Sequence, residues 1–346
     1  MSIRIRSRLL LSFVMGLVFC SCTKVKFEVG KRNEEKMLRN SGIVSALSEN
    51  RIYPSVTPYL IKKVYGVHLD STNKRPAVEL TFEKTDRSSN DHRLGQFTAY
   101  DGVQIPIYEF TPPGFDPHEQ YPVIILFSGH GDMDQLAFEK WTYQKGAAGI
   151  LASSGYLVYV MENRGMGRLS NLGDHLKIDA VARLTGGSWY GELITDGLYL
   201  LEYTLKLPFV DTDRVGVGGV STGGALSMIV SAIDDRIKAT YVQGYLGSFK
   251  TTFGIRANHD ICNNIPGVLN YFDIPDLAAV IAPRKALYVN GDRDTFYYQD
   301  AEKAFEHIKK VYTEVGKPKN VSLKIPKGTI HELSVDIMEE FFKESL

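Results

Sequence analysis

Ser221, in the middle of Gly219-Val220-Ser221-Thr222-Gly223, is the residue best placed for covalent chemistry. A short apolar run, Arg214-Val215-Gly216-Val217, precedes it, and a helix-like run over 225–230 follows. A serine on such a strand-to-helix turn sits in a tight bend with its hydroxyl lifted clear of the sheet. The glycines at 219 and 223 remove Cβ atoms that would clash in that bend. The helix that follows brings its positive end beside the serine. The rival reading is a phosphate-binding loop, but the Walker lysine is missing and the serine sits mid-turn.

A serine hydroxyl is a poor nucleophile until a base takes its proton, so a histidine and a carboxylate must converge on it. His331 follows the last apolar strand-like run and precedes the last helix-like run. The carboxylate comes from Gly291-Asp292-Arg293-Asp294, where Asp294 and Asp292 are alternatives. His307 falls in a lysine-rich helical stretch and reads as a solvated surface residue. An oxyanion formed at Ser221 needs backbone N–H donors. Thr222 supplies one, and the loop Ser128-Gly129-His130-Gly131-Asp132 supplies the other, assigned to the main chain of His130.

The elements that must carry these residues alternate along the chain. Residues 96–100 and 104–110 read as a hairpin around Asp101-Gly102. Residues 122–127 form a continuous apolar run expected of a buried strand. A helix over 136–153, a strand over 156–161, a long glycine-bearing loop over 164–188 and a helix over 189–205 follow. The elbow strand and helix come next, then strands at 239–242, 285–290 and 321–325, with helices over 300–312 and 333–342. Strands separated by helices predict a mostly parallel central sheet with helices on both faces. Reacting groups then gather at the carboxyl ends of the strands.

Lysine plus arginine and aspartate plus glutamate are equal at 40 each, which argues against a nucleic-acid partner. Residues 1–22 read as a signal segment. Arg4, Arg6 and Arg8 precede an apolar stretch over 9–19 that ends at Cys20-Ser21-Cys22. Small residues before Cys22 resemble a bacterial lipoprotein signal, in which that cysteine is lipidated. The protein is therefore expected to be exported and held at a membrane only by a lipid anchor; the alternative is a plain secretory signal with incidental cysteines. Cys262 is the one other cysteine, so no internal disulfide is expected. Residues 23–93 are polar and proline-bearing and read as an extension packed on a catalytic domain over 94–346, with one strand-like alternation at 77–82.

The order Ser221, Asp294, His331 is that of an α/β-hydrolase triad, and several runs make the resemblance specific. Residues 94–346 resemble the α/β-hydrolase superfamily, and within it the acetyl xylan esterase and dienelactone-hydrolase-like bacterial esterases. Val210-Asp211-Thr212-Asp213-Arg214-Val215-Gly216-Val217 is similar to their Val-Asp-x-x-Arg-Ile-Gly-Val run. Asn163-Arg164-Gly165-Met166-Gly167 and Ile281-Ala282-Pro283-Arg284 resemble their Arg-Gly-x-Gly turn and Ala-Pro-Arg approach. The family's Gly-x-x-Asp spacing points to Asp294 rather than Asp292. The chain departs from the pattern in having Ser221 where dienelactone hydrolases carry cysteine, Ser128 before the oxyanion glycine, and Thr329-Ile330 before His331.

The resemblance implies a serine carboxylesterase acting on a small-molecule or polysaccharide ester, with acetylated carbohydrate as the expected substrate class and no cofactor. His259, in the run 259–267, is expected to border the site. Trp189 could stack on a sugar ring or belong to the core of its helix. The spacing of His259, Asp260 and Cys262 fits no usual zinc pattern, so no metal is expected. The alternatives are a prolyl-oligopeptidase-like peptidase, for which 23–93 is shorter than a propeller, and a non-catalytic glycan-binding lipoprotein.

Overall fold

The computed structural model describes residues 56–68, 81–82, 92–255 and 259–346. The expected signal segment, with Cys22, lies outside them. Among the described residues nine strands form one sheet in the order β1-β2-β3-β5-β4-β6-β7-β8-β9. They are β1 (Thr81–Phe82), β2 (His92–Thr98), β3 (Gln104–Phe110), β4 (Tyr121–Phe127), β5 (Leu157–Met161), β6 (Val210–Val220), β7 (Ala239–Gln243), β8 (Lys285–Val289) and β9 (Val321–Lys324). β1, β2 and β3 pair antiparallel, and β3 pairs antiparallel with β5. From β5 onward every pairing is parallel.

Side chains alternate between the two faces of a strand, and β4 shows the consequence. Val123, Ile125 and Phe127 join one buried cluster, and Ile124 and Leu126 join the other. The first cluster takes in α1 (Pro58–Tyr65), α5 (Trp189–Thr204), α6 (Thr222–Ile233), α7 (Ile274–Ala279) and α8 (Tyr298–Glu314). The second takes in α2 (Met133–Ala137), α3 (Ala147–Ser153) and α9 (Val335–Ser345). Helices therefore cover both faces, as the alternation of elements predicts. Every residue of α6 is buried, which is why that segment is apolar all round rather than striped.

The structure corrects the expected elements in four places. The helix expected over 136–153 is two helices, α2 and α3, because Lys145 and Gly146 both adopt positive φ, 59° and 58°. A Cβ at Gly146 would lie 2.8 Å from the Phe138 backbone carbon. The loop expected over 164–188 contains α4 (His175–Leu184), started by Asp174, whose side chain accepts from Leu176 N–H at 2.7 Å. Within the stretch read as an irregular extension, α1 starts at Thr57, whose hydroxyl accepts from Leu60 N–H, with a proline in its first turn. Its Ile61 and Tyr65 are buried in the same cluster as α5 and α6. Finally, α7 was not expected; Asp273 and Asp276 form a capping box at its start.

Arg164 ties the strand ends to the helices. Its guanidinium donates to both carboxylate oxygens of Asp196 on α5, at 2.6 and 2.9 Å, and to Asp101 in the β2–β3 turn at 2.5 and 3.2 Å. Its carbonyl accepts the Trp189 indole N–H at 2.9 Å. Burial pushes the Asp196 carboxyl up to about 6, while the paired Arg164 guanidinium pulls it down by favouring the charged form. Removing the guanidinium strands that charge. Arg164→Ala is expected to lower unfolding stability by about 3–5 kcal/mol, read from urea denaturation midpoints; a loss below about 1 kcal/mol would refute this role.

Candidate active site

Register brings the predicted residues to one edge. Phe127 of β4 pairs with Gly219, Val220 with Gln243, Gln243 with Val289, and Val289 with Lys324. The strands thus end level, and the segments that leave them carry His130, Ser221, Gly244, Asp294 and His331 in turn.

Ser221 has φ 61° and ψ −126°, a strained conformation for a residue with a side chain. Its N–H is held by Gln243 O at 2.9 Å. The turn also needs glycine after it: a Cβ at Gly223 would lie 1.9 Å from Phe127 O. Ser221 is 2% exposed. Thr222 is the first residue of α6, so its N–H has no intrahelical partner.

The loop after β4 is held from several sides. Asn163 Nδ2 donates to the carbonyls of Ser128 and Gly129 at 2.9 and 3.0 Å. Tyr143 OH donates to the His130 carbonyl at 3.1 Å. Gly129 N–H is taken by Gln144 Oε1 at 2.8 Å. Gly129 is therefore not available to an oxyanion, and His130 N–H, among the described residues, is left without a partner. The His130 side chain accepts or donates at Thr222 Oγ1 through Nδ1, 2.8 Å away. Burial, then the neighbouring rings of His259, His175 and His331, lowers His130 to about 3, so this imidazole stays neutral.

His331 Nδ1 lies 2.8 Å from Asp294 Oδ1. The Asp294 side chain is wholly buried, and the same oxygen accepts Phe296 N–H at 2.9 Å. Asp292 faces elsewhere: its Oδ1 accepts Gly328 N–H at 2.7 Å and braces the loop that leads to His331. The rings of Phe296 and Tyr143 stack near His331 with centroids 5.6 and 5.9 Å away. Gly244, at φ +62°, lies against the pair, where a Cβ would come within 2.9 Å of His331 Cε1. Ser221 Oγ is not hydrogen-bonded to His331; such contacts tighten when substrate is bound.

Gln243 was missed in the sequence because nothing around it signals function. Besides holding Ser221 N–H, it accepts Ser334 N–H at 2.8 Å and donates to the Glu332 carbonyl. Its backbone carbonyl holds the elbow and its side chain holds the segment after His331, so one residue couples the two.

The other predicted residues divide. The His259 ring lies 6.5 Å from that of His331, 5.5 Å from that of His130 and 5.1 Å from that of Phe296, so it borders the site. Burial and then His331 lower its pKa. Trp189 is 0% exposed with its indole N–H committed to Arg164. It offers no face to a sugar, and of the two sequence readings the core one describes it. The exposed indole is Trp141, 80% exposed on the α2–α3 loop that also carries Tyr143 and Gln144. His307 pairs with Asp276 at 3.2 Å, joining α8 to α7, and is only half exposed.

A parallel sheet with a serine elbow after β6, a carboxylate after β8 and a histidine after β9 defines an α/β-hydrolase. The chain belongs to the acetyl xylan esterase (AXE1) family, whose sequence model matches residues 73–301, and which comprises carboxylic ester hydrolases. That stretch includes Ser221 and Asp294 but stops short of His331. A Bacteroides fragilis structure described as an acetyl xylan esterase superposes with a TM-score of 0.67 at 17% identity, covering 88% of this chain and 94% of that one. A glucuronoyl esterase from Solibacter usitatus gives 0.61 at 14% identity, covering 83% and 91%. A Paracoccidioides lutzii protein described as a dipeptidyl-aminopeptidase B is 28% identical over 164 residues, or 44% of this chain. The match spans only 17% of that relative's length.

Proposed function

We propose that the protein is an exported serine carboxylesterase that removes acyl groups from esterified carbohydrate. The observation that carries the proposal is the strained Ser221 at the same sheet edge as the buried Asp294–His331 pair. Ser221 Oγ attacks the ester carbonyl while His331 Nε2 takes its proton. Asp294 holds the Nδ1–H tautomer and stabilises the imidazolium. The N–H groups of Thr222 and His130 receive the oxyanion. His331 returns the proton to the leaving alcohol, and water then releases the acyl group by the same route. The test is labelling by a fluorophosphonate at Ser221, together with release of acetate from acetylated xylo-oligosaccharides. Cleavage of dipeptidyl amides in preference to both acetyl and methyl-uronate esters would instead favour a peptidase. Failure to label would favour a non-catalytic glycan-binding protein.

The carbohydrate part is supported by family membership and by Trp141, an exposed indole on the loop that buttresses His130. Trp141→Ala is expected to raise KM on an acetylated oligosaccharide several-fold while leaving hydrolysis of a small aryl acetate near wild type. Equal effects on both substrates would remove Trp141 from sugar binding.

Export is carried by residues 1–22. Wild-type protein is expected to sediment with membranes, and Cys22→Ser to lose lipid labelling and normal processing. Equal recovery of both in the soluble fraction would indicate an ordinary signal peptide.

A further inference from the structure

Beside the loop after β4, His130, His175 and Cys262 each bring a donor atom within 4.8 Å of the others. His130 belongs to that loop, His175 is the first residue of α4, and Cys262 lies in a short turn after β7. Cys262 Sγ is 3.6 Å from His130 Nε2. The second nitrogen of each imidazole already has a partner: His130 Nδ1 has Thr222 Oγ1 at 2.8 Å, and His175 Nδ1 has Asp174 Oδ1 at 3.4 Å. His175 Nε2 is buried without a hydrogen-bond partner and lies 3.8 Å from Asp260 Oδ2. Asn263 Nδ2 donates toward Cys262 Sγ at 3.4 Å.

Neither Cys262 nor the His175 ring has a part in ester hydrolysis. Ligating histidines are oriented in this way, with one nitrogen fixed by an oxygen and the other free to bind a cation. A tetrahedral zinc ion with Zn–N of about 2.0–2.1 Å and Zn–S of about 2.3 Å sets its ligands roughly 3.3–3.7 Å apart. The Cys262–His130 distance is already in that range, and the remaining donor pairs lie within 4.8 Å. Two imidazoles and a thiolate do not suit magnesium or calcium, which take oxygen ligands.

We propose that His130 Nε2, His175 Nε2 and Cys262 Sγ bind one zinc-like divalent cation, with Asp260 Oδ2 or water completing the shell. On binding, the Cys262 S–H bond breaks, an Sγ–metal bond forms and the proton passes to solvent. Both imidazoles bind neutral. The ion clamps the start of α4 and the 259–263 segment onto the loop whose His130 N–H faces the oxyanion. This site stands whether or not the esterase reading does, because the test below does not measure activity.

The test uses the full chain carrying Cys20→Ser and Cys22→Ser, so that Cys262 is the sole thiol. Chelator-stripped protein is titrated with Zn²⁺ against a chromophoric chelator, and separately with Co²⁺. The expected result is one equivalent bound per chain, a thiolate-to-cobalt charge-transfer band, and a thermal midpoint that rises with Zn²⁺ concentration. Cys262→Ser should abolish the band, and His175→Gln should weaken Zn²⁺ binding at least tenfold with circular dichroism unchanged. No stoichiometric binding, or a cobalt complex without the thiolate band, would overturn the proposal even if a variant failed to fold. Zn²⁺ binding unchanged in both variants would overturn it equally.

Discussion

Ser221→Ala is expected to lower kcat by roughly 10⁶ while leaving the fold intact. In the proposed mechanism the substitution removes the one atom that forms the acyl bond. It also eases rather than strains packing, because alanine is smaller than serine at a position 2% exposed. The φ of 61° is unfavourable for serine and alanine alike, so the backbone strain is unchanged and any stability change is small. His331→Ala should cost nearly as much, and the double variant should be no worse than either single one, because the residues act as a unit. The check is single-turnover hydrolysis of an aryl acetate, with thermal melting to establish folding. Activity of Ser221→Ala within tenfold of wild type would reject Ser221 as the nucleophile. Additive losses in the double variant would separate His331 from the serine.

The parts of the site legible in sequence are those set by a strand end. Ser221, Asp294 and His331 each follow an apolar run whose strand character needs only its own residues to see. Parallel register then brings their ends level without any further information. The loop after β4 was legible for the same reason, although only the structure shows that Gln144 takes Gly129 N–H and leaves that of His130. What the sequence hides is long-range pairing. His175 lies on a helix that the glycines at 165, 167 and 173 disguise as loop, and Cys262 is 132 residues from its neighbour His130. Spacing rules for zinc detect ligands close in sequence, so the proposed cluster, drawn from a loop, a helix start and a turn far apart in the chain, escapes them. Arg164 and Gln243 were invisible as organisers for a related reason: a buried polar side chain declares its role only through partners that the fold supplies. Trp189 and Trp141 make the point in reverse, since residue type alone ranks them equally while burial separates them.

Asp294 and Asp292 are two residues apart, and the structure gives them different tasks, so a paired substitution is sharply diagnostic. Asp294 Oδ1 faces His331 Nδ1 at 2.8 Å and is further fixed by Phe296 N–H. In Asp294→Asn the carboxylate charge is lost, and the amide can turn its NH₂ toward His331, favouring the tautomer with Nδ1 unprotonated. Nε2 would then carry the proton and could not accept one from Ser221. A loss of roughly 10⁴ in kcat is expected, with KM little changed, because a misplaced tautomer harms the transition state rather than binding. Asp292 accepts Gly328 N–H through Oδ1, and asparagine keeps an oxygen that can do the same. Asp292→Asn should therefore retain most of the turnover, and any cost should appear in thermal stability through the loop that carries His331. Both variants must melt within a few degrees of wild type for the comparison to count. If the Asp292 variant is the inactive one while Asp294→Asn keeps most activity, the carboxylate assignment moves to Asp292. The serine and histidine assignments would stand, since they rest on the elbow and on the segment after β9.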